Sequence, residues 1–294
     1  MIPVRTGVEM NEGILDLADG RTLGFGTYGP DHAPPIIYCH GYPANRLEFS
    51  LLQPVLERRG VDARVVVLDR PGYGKSSFQA KRNLLDWPKD VEAAVDQLGL
   101  GAFSVVGVSG GGPYALACAY SLADRVKRVG VAVGVAPREA TGMETAACID
   151  GPSSIPLLRR IQFSMAAMAF KKGQEDRFVE QTIKTMSEID GKTLGEPEVR
   201  QWFLDMTREA FTQGGAAAAH EGGLYRKSWG FDPSQIKVAT DLWYGELDKT
   251  VPASAGRWLA DRMPVADIKI WPHHGHLSWM VADEAAEFIT RAIG

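Results

Sequence analysis

The chain has 294 residues, 45% hydrophobic and 23% charged, and its 32 Lys+Arg against 36 Asp+Glu leave a formal net charge of −4. This is ordinary globular composition, too apolar for a disordered chain and lacking the basic excess on which a nucleic-acid surface is built. Three widely spaced cysteines, Cys39, Cys118 and Cys148, in a chain too large to need disulfide staples point to a reducing compartment.

The first residues, Met1 to Thr6, carry neither the charged segment nor the apolar stretch and cleavage site of a secretory signal, so the expectation is a cytoplasmic protein. Short β-branched runs predict strands over 14–17, 22–28, 35–39, 64–68, 103–108, 128–133, 240–244 and 267–271. The first two read as an antiparallel hairpin closed by Asp19-Gly20, a favoured two-residue turn. Helical patterns over 48–59, 88–98, 111–123, 253–263 and 278–292 alternate with the remaining strands. That alternation predicts an α/β protein with a mostly parallel eight-stranded sheet flanked by helices.

Everything from 97 to 123 is uncharged and long enough to cross a bilayer, but Gly110-Gly111-Gly112-Pro113 interrupts it. A buried strand, a tight turn and a buried helix account for the run, and no membrane association is expected. From about 137 to 235 the alternation breaks into helices joined by Gly- and Pro-containing turns. This predicts an all-helical lid, 137–235, inserted into a core made of 1–136 and 236–294. Met143, Met165, Met168, Met186 and Met206 fall there with Phe163, Phe170, Phe178 and Trp202. Such residues suit either an adaptable apolar pocket or a helical core.

Gly107-Val108-Ser109-Gly110-Gly111 lies between a predicted strand and a predicted helix, the setting of a nucleophile elbow, where a strained turn lifts a serine hydroxyl above the sheet edge. A phosphate cradle is the other use of such glycines. It fits poorly, because no lysine follows them and Pro113 removes one N–H. The order Ser, acid, His then selects Asp248, past the strand at 240–244, and His276, past the strand at 267–271. Carboxyl ends of parallel strands share one rim, so the three can converge. Glu246 is the substitute acid, and Asp248 could instead cap the turn before Val251-Pro252. His273 and His274 rival His276, but no zinc-binding His pattern occurs, so neither metal nor cofactor is expected.

Taken together, His40-Gly41-Tyr42-Pro43, Asp69-Arg70-Pro71-Gly72-Tyr73-Gly74-Lys75-Ser76-Ser77, the Ser109 elbow, Gly245-Glu246-Leu247-Asp248 and Gly275-His276 closely resemble the α/β-hydrolase superfamily, over roughly 24–293. The resemblance implies an oxyanion hole built from the backbone N–H groups of Tyr42 and Gly110. It implies a structural role for His40 and a loop-bracing one for Asp69. Arg46 is read as a surface ion-pair former, the alternative being contact with an acidic substrate at the pocket mouth, and Trp229-Gly230-Phe231-Asp232 resembles a lid-to-core junction.

Serine at the elbow argues against haloalkane dehalogenases and epoxide hydrolases, which resemble one another in using aspartate there. The expected substrate is a small, neutral or apolar carboxylic ester or lactone, cleaved through an acyl-enzyme. A proline-iminopeptidase-like amidase is the nearest alternative, with Glu175, Asp176 and Glu221 as candidate acids for a free amino terminus. A ligand-binding receptor on the same fold, which would stall after one turnover, is the alternative from another class.

Overall fold

The computed structural model describes residues 10–143, 155–171 and 173–294. Cys148 lies outside them; Cys39 and Cys118 are buried free thiols. The strands are β1 (Asn11–Asp16), β2 (Thr22–Tyr28), β3 (Pro35–Cys39), β4 (Arg64–Leu68), β5 (Phe103–Val108), β6 (Val126–Ala132), β7 (Thr240–Gly245) and β8 (Ala266–Trp271). They form one sheet in the order β1-β2-β4-β3-β5-β6-β7-β8. β2 pairs antiparallel with β1 and β4, and every other pair is parallel. The expected mostly parallel eight-stranded sheet is therefore present.

The β1–β2 hairpin turns differently from a two-residue loop. Leu17 N–H donates to Arg21 carbonyl (2.8 Å) and Gly20 N–H to Leu17 carbonyl (2.9 Å), leaving three residues in the loop. Gly20 takes φ +83°, the left-handed residue with which a three-residue loop restores strand twist.

Adjacent residues of the central strands feed opposite cores, because side chains alternate across a sheet. Ile37, Val66, Val105, Val131 and Leu242 enter one cluster, and Ile36, Val65, Val106, Ala132 and Trp243 the other. The first face is covered by α2 (Trp87–Gln97), α3 (Gly112–Ser121) and α9 (Ala253–Ala260), the second by α1 (Gln53–Arg59) and α10 (Asp283–Ile293). Two predicted helices are each split. A 3-10 turn, Glu48–Leu51, precedes α1, which carries Pro54 in its first turn. Another, Ser278–Val281, precedes α10, separated from it by Ala282 in extended backbone.

Between β6 and β7 the described residues hold five α-helices and no strand: α4 (Pro156–Lys171), α5 (Glu175–Thr185), α6 (Glu188–Gly195), α7 (Pro197–Ala210) and α8 (Ala216–Leu224). No described helix is long and apolar enough to cross a membrane. Beyond apolar packing, α8 is joined to the sheet by a buried ion pair. Arg70, just past β4, donates through Nε to Glu221 Oε1 at 2.7 Å, and both side chains are wholly inaccessible to solvent. Arg82 approaches Glu221 Oε2 at 3.7 Å. Burial alone would push the Glu221 carboxyl up, but the charges of Arg70 and then Arg82 hold it at about 2.

Glu221→Gln would leave Arg70 buried without its counter-charge, which costs about 3–5 kcal/mol when one partner of such a pair is removed. Because the carboxyl is held below its ordinary value of 4.5, its ionic contribution is complete above that pH and is lost as pH falls towards 2. Urea unfolding of the two proteins should differ fully at pH 7, and the gap should narrow steadily below pH 4.5. A gap independent of pH would contradict the ionic account.

Candidate active site

The elbow after β5 closes because its glycines admit close backbone approach. A Cβ on Gly107 would lie 2.5 Å from Gly111 carbonyl oxygen, and one on Gly111 would lie 1.9 Å from Cys39 carbonyl oxygen. Ser109 itself sits at φ +53°, in the left-handed region a side chain rarely occupies. Strain of that kind persists only where the surroundings over-determine it. Here β5 enters from one side and α3, with Pro113 in its first turn, leaves on the other.

His276 stands between the other two predicted residues. Its Nε2 is 2.8 Å from Ser109 Oγ and its Nδ1 is 2.7 Å from Asp248 Oδ2. Asp248 does not spend that oxygen on its own turn: Oδ1 alone accepts the N–H groups of Thr250 (2.7 Å) and Val251 (3.0 Å). Asp248 thus caps its own turn with one oxygen and meets His276 with the other. Burial pushes the His276 imidazole down, but the Asp248 carboxylate, by charge and hydrogen bond, outweighs it, with Asp190 and Glu48 adding to the same side; its pKa ends above the ordinary value. With the imidazole neutral, Nδ1–H donates to Asp248 and Nε2 accepts from the serine hydroxyl.

The substitutes are elsewhere. Glu246 is exposed and pairs with Arg257 at 3.1 Å. His273 is exposed, and His274 lies 3.4 Å from Glu284. Among the described residues no group of three or more His, Cys, Asp or Glu is arranged to hold a metal ion.

Tyr42 and Gly110 meet beside Ser109. A Cβ on Gly110 would lie 2.5 Å from Tyr42 Cβ, and one on Gly41 would lie 3.6 Å from Ser109 Cβ. The backbone of this loop is held from two directions. Arg70 donates to the carbonyls of His40 and Gly41, the latter at 2.8 Å, while Gly41 N–H donates to Glu48 Oε2 at 2.8 Å. Burial pushes the Glu48 carboxyl up to about 7, against the pull of that N–H. His40 accepts Arg70 N–H at Nε2 (3.0 Å), and burial together with the Arg70 charge holds its pKa well below the ordinary value. Tyr225 of the segment following α8 places its hydroxyl 2.9 Å from Gly110 carbonyl oxygen and 2.8 Å from Glu221 Oε1.

Asp69 braces the loop as expected: it accepts Arg46 N–H at 2.7 Å and Lys75 N–H at 2.9 Å. Arg46 corrects the sequence reading. It is only 4% exposed, away from the cavity, and joins Asp69 (3.0 Å), Glu12 (2.8 Å) and Glu209 of α7 (2.6 Å). A guanidinium offers five donors in a fixed fork, enough to tie the hairpin, the loop and the helical insertion at one point.

Above Ser109 and His276 lies a cavity of about 270 Å³. Phe178, Met186, Trp202, Phe203 and Met206 from the helical insertion line it, with Thr182, Thr185 and Thr207 among them. Met143 is buried in the core, and Met165 and Met168 are exposed, so only part of the methionine group serves the cavity. Phe163 and Phe170 pack inside the insertion, and Phe163 also meets Tyr42. Sequence reasoning missed Glu48, Arg70, Tyr225 and Asp190 as members of the site. A lone acid among Leu47, Phe49, Leu51 and Leu52 was the one available signal for Glu48.

The model of the alpha/beta hydrolase family matches residues 36–291. The chain is 26% identical over 264 residues to the AB hydrolase superfamily protein YisY of Bacillus subtilis (strain 168), covering 83% of this chain and 85% of that protein. It is 26% identical over 245 residues to the bifunctional esterase/perhydrolase DCH of Acinetobacter calcoaceticus, covering 82% and 83%. The crystal structure of the enol-lactonase from Burkholderia xenovorans LB400 superposes with a TM-score of 0.73 at 19% identity, over 96% of this chain and 99% of that one. With the family's model spanning β3 to β8, the elbow, the acid and the histidine, the chain belongs to the alpha/beta hydrolase family.

Proposed function

We propose that this chain is a serine hydrolase that cleaves a small, neutral or apolar carboxylic ester or lactone, with Ser109 as nucleophile, His276 as base and acid, and Asp248 as the group that orients and charges it. The observation that carries the reading is the unbroken chain of hydrogen bonds from Ser109 Oγ through His276 to Asp248, opening on an apolar cavity. We take the insertion at 137–235 as its lid, since its described helices α5 and α7 line the cavity. The names of the relatives lend support at the level of small esters and lactones: one is called an esterase/perhydrolase and a structural neighbour an enol-lactonase.

In the cycle, Ser109 attacks the carbonyl carbon as its proton passes to His276 Nε2. Tyr42 and Gly110 N–H groups receive the oxyanion, and because both are fixed beforehand they need no reorganisation as charge develops. His276 returns the proton to the leaving oxygen. Water, deprotonated by the same nitrogen, then attacks the acyl-enzyme and Ser109 recovers its proton. Asp248 holds Nδ1–H and stabilises the transient imidazolium.

The volume of about 270 Å³ lies just below the ~300–1,000 Å³ usual for sites of drug-sized ligands, which favours a small substrate. The amidase alternative needs a carboxylate for an amino terminus. Glu175 and Asp176 are engaged by Arg208 and Arg200, and Glu221 is buried against Arg70. Glu48 is the sole acid among the described residues lining the cavity, and it already accepts Gly41 N–H.

A fluorophosphonate should add once to the intact protein, and Ser109→Ala should abolish the adduct together with turnover of short acyl esters. An adduct of equal yield on Ser109→Ala would overturn the assignment. Asp248→Asn should keep the fold and lower kcat/KM by about 10²–10⁴-fold, since the amide favours the wrong imidazole tautomer. It also removes the charge that raises the imidazole pKa, so the acid limb of kcat/KM should move to lower pH. An unmoved limb would place the essential base elsewhere.

A further inference from the structure

We propose that Asp190, carried by α6 of the helical insertion, is a positioning residue for His276: its carboxylate clamps the backbone of 276–278 and so fixes where the imidazole stands between Ser109 and Asp248. The inference rests on the serine-hydrolase reading of the site.

Asp190 is 1% exposed, yet both its oxygens are occupied from another part of the chain. Oδ2 accepts His276 N–H at 2.7 Å; Oδ1 accepts the N–H groups of Leu277 at 2.8 Å and Ser278 at 2.9 Å. Successive N–H groups turned to one side form a concave anion seat, and here the anion is a side chain of the insertion. The Ser187 hydroxyl donates to Oδ2 at 2.6 Å and keeps the carboxylate aimed. On the other side of His276, Trp279 Nε1 donates to its carbonyl at 3.1 Å. The histidine's peptide groups are thus held at both ends, and the N-terminal hold comes entirely from α6.

Gly275 is the second, independent sign of the clamp. A Cβ there would lie 2.0 Å from Asp190 Oδ2 and 2.5 Å from Ser187 Oγ, so the glycine before the histidine leaves the space the carboxylate fills. Its φ is not in the left-handed region, so backbone conformation does not demand glycine. A local role does not account for Asp190 either. In Ser187-Glu188-Ile189-Asp190 the serine caps α6 by accepting Asp190 N–H at 3.4 Å, while the carboxylate reaches residues 86 to 88 positions further on.

The charge has an effect beyond placement. The negative groups acting on the imidazole are Asp248 after β7, Asp190 on α6 and Glu48 after β3, and Lys249 is the one lysine or arginine among the described cavity-lining residues. Asp190 therefore favours the imidazolium as well as holding its backbone.

The test uses Asp190→Asn, Gly275→Ala and the double variant in the full chain. It follows the rate of Ser109 phosphonylation, kcat and KM on an ester the wild type turns over, and the pH dependence of kcat/KM, with circular dichroism to verify folding. Each single variant should lose about 10²-fold in labelling rate and kcat while KM stays near the wild-type value, as expected when a reacting group is displaced by about an ångström. Asp190→Asn should also move the acid limb to lower pH. The double variant should lose little more than either single one, because both break the same clamp. Folded variants that keep the wild-type labelling rate and acid limb, or losses that multiply in the double variant, would overturn the proposal. Should Asp190→Asn not fold, Gly275→Ala, which alters no charged group, decides the matter. A wild type that is neither labelled nor active would instead count against Ser109 as nucleophile.

Discussion

Two opposite charges with no access to water join the parallel sheet to its helical insertion, and most of the site's backbone is referred to them. Arg70 reaches Glu221 with Nε and spends its remaining nitrogens on the carbonyls of His40 and Gly41. Glu221 in turn meets the Tyr225 hydroxyl, which also meets Gly110 carbonyl oxygen. Such a pair gains little over well-packed apolar residues in stability, since desolvation offsets attraction. What it supplies is direction: a planar fork with fixed donor angles admits one arrangement of loop, elbow and α8. The Gly41–Tyr42 peptide, whose N–H is expected to face an oxyanion, is thereby held directly by Arg70 of this ion pair outside the cavity, and Tyr225 extends the hold to the Gly110–Gly111 peptide, next to the second expected donor.

A second constraint acts on the histidine side and comes from a different helix of the same insertion. Through Asp190 on α6 and Glu221 on α8, both halves of the proposed machinery receive polar contacts from the segment between β6 and β7. Apolar packing alone would let that segment slide by fractions of an ångström at small cost, whereas buried carboxylates leave unsatisfied donors behind if they shift. An insertion attached in this way is part of the scaffold of the site as well as its cover.

The sheet was legible in the sequence where burial on both faces left no choice. β2 through β5 begin and end where the β-branched runs do, because any shift would carry a polar residue into one of two cores. β1, an edge strand exposed along most of its length, starts three residues earlier than its apolar residues suggest. Ser109, Asp248 and His276 were legible because each is surrounded by its own local requirement: glycines for the elbow, a turn that uses one Asp248 oxygen, a glycine before the histidine. Arg70, Glu48 and Asp190 were not. Arg70 and Asp190 are engaged by groups tens of residues away, Glu48 meets a backbone N–H across a seven-residue loop, and their local sequences offer plain alternatives, a helix cap in the case of Asp190. Arg46 was misread for the same reason, since three acids from separate elements drew a cation inward that sequence alone leaves at the surface.

The placement of charge around the cavity also bears on what it can accept. Asp248 and Asp190 favour a protonated His276, but their field opposes any second negative charge brought near, whether an oxyanion or an anionic substrate. The structure separates the two demands in space. The carboxylates stand behind the imidazole, on its Nδ1 and backbone side, while Ser109 faces the loop and elbow peptides of Tyr42 and Gly110. Glu48 is the exception, an acid beside that loop. Burial pushes its carboxyl up to about 7, so at neutral pH much of it is uncharged and the field it adds is weakened. For the neutral acyl substrate proposed above, which acquires its charge only in the transition state and only on the Ser109 side, this distribution is favourable; a carboxylate brought in before reaction would meet the field of Asp248 and Asp190 in a site lined by Phe178, Trp202 and Phe203.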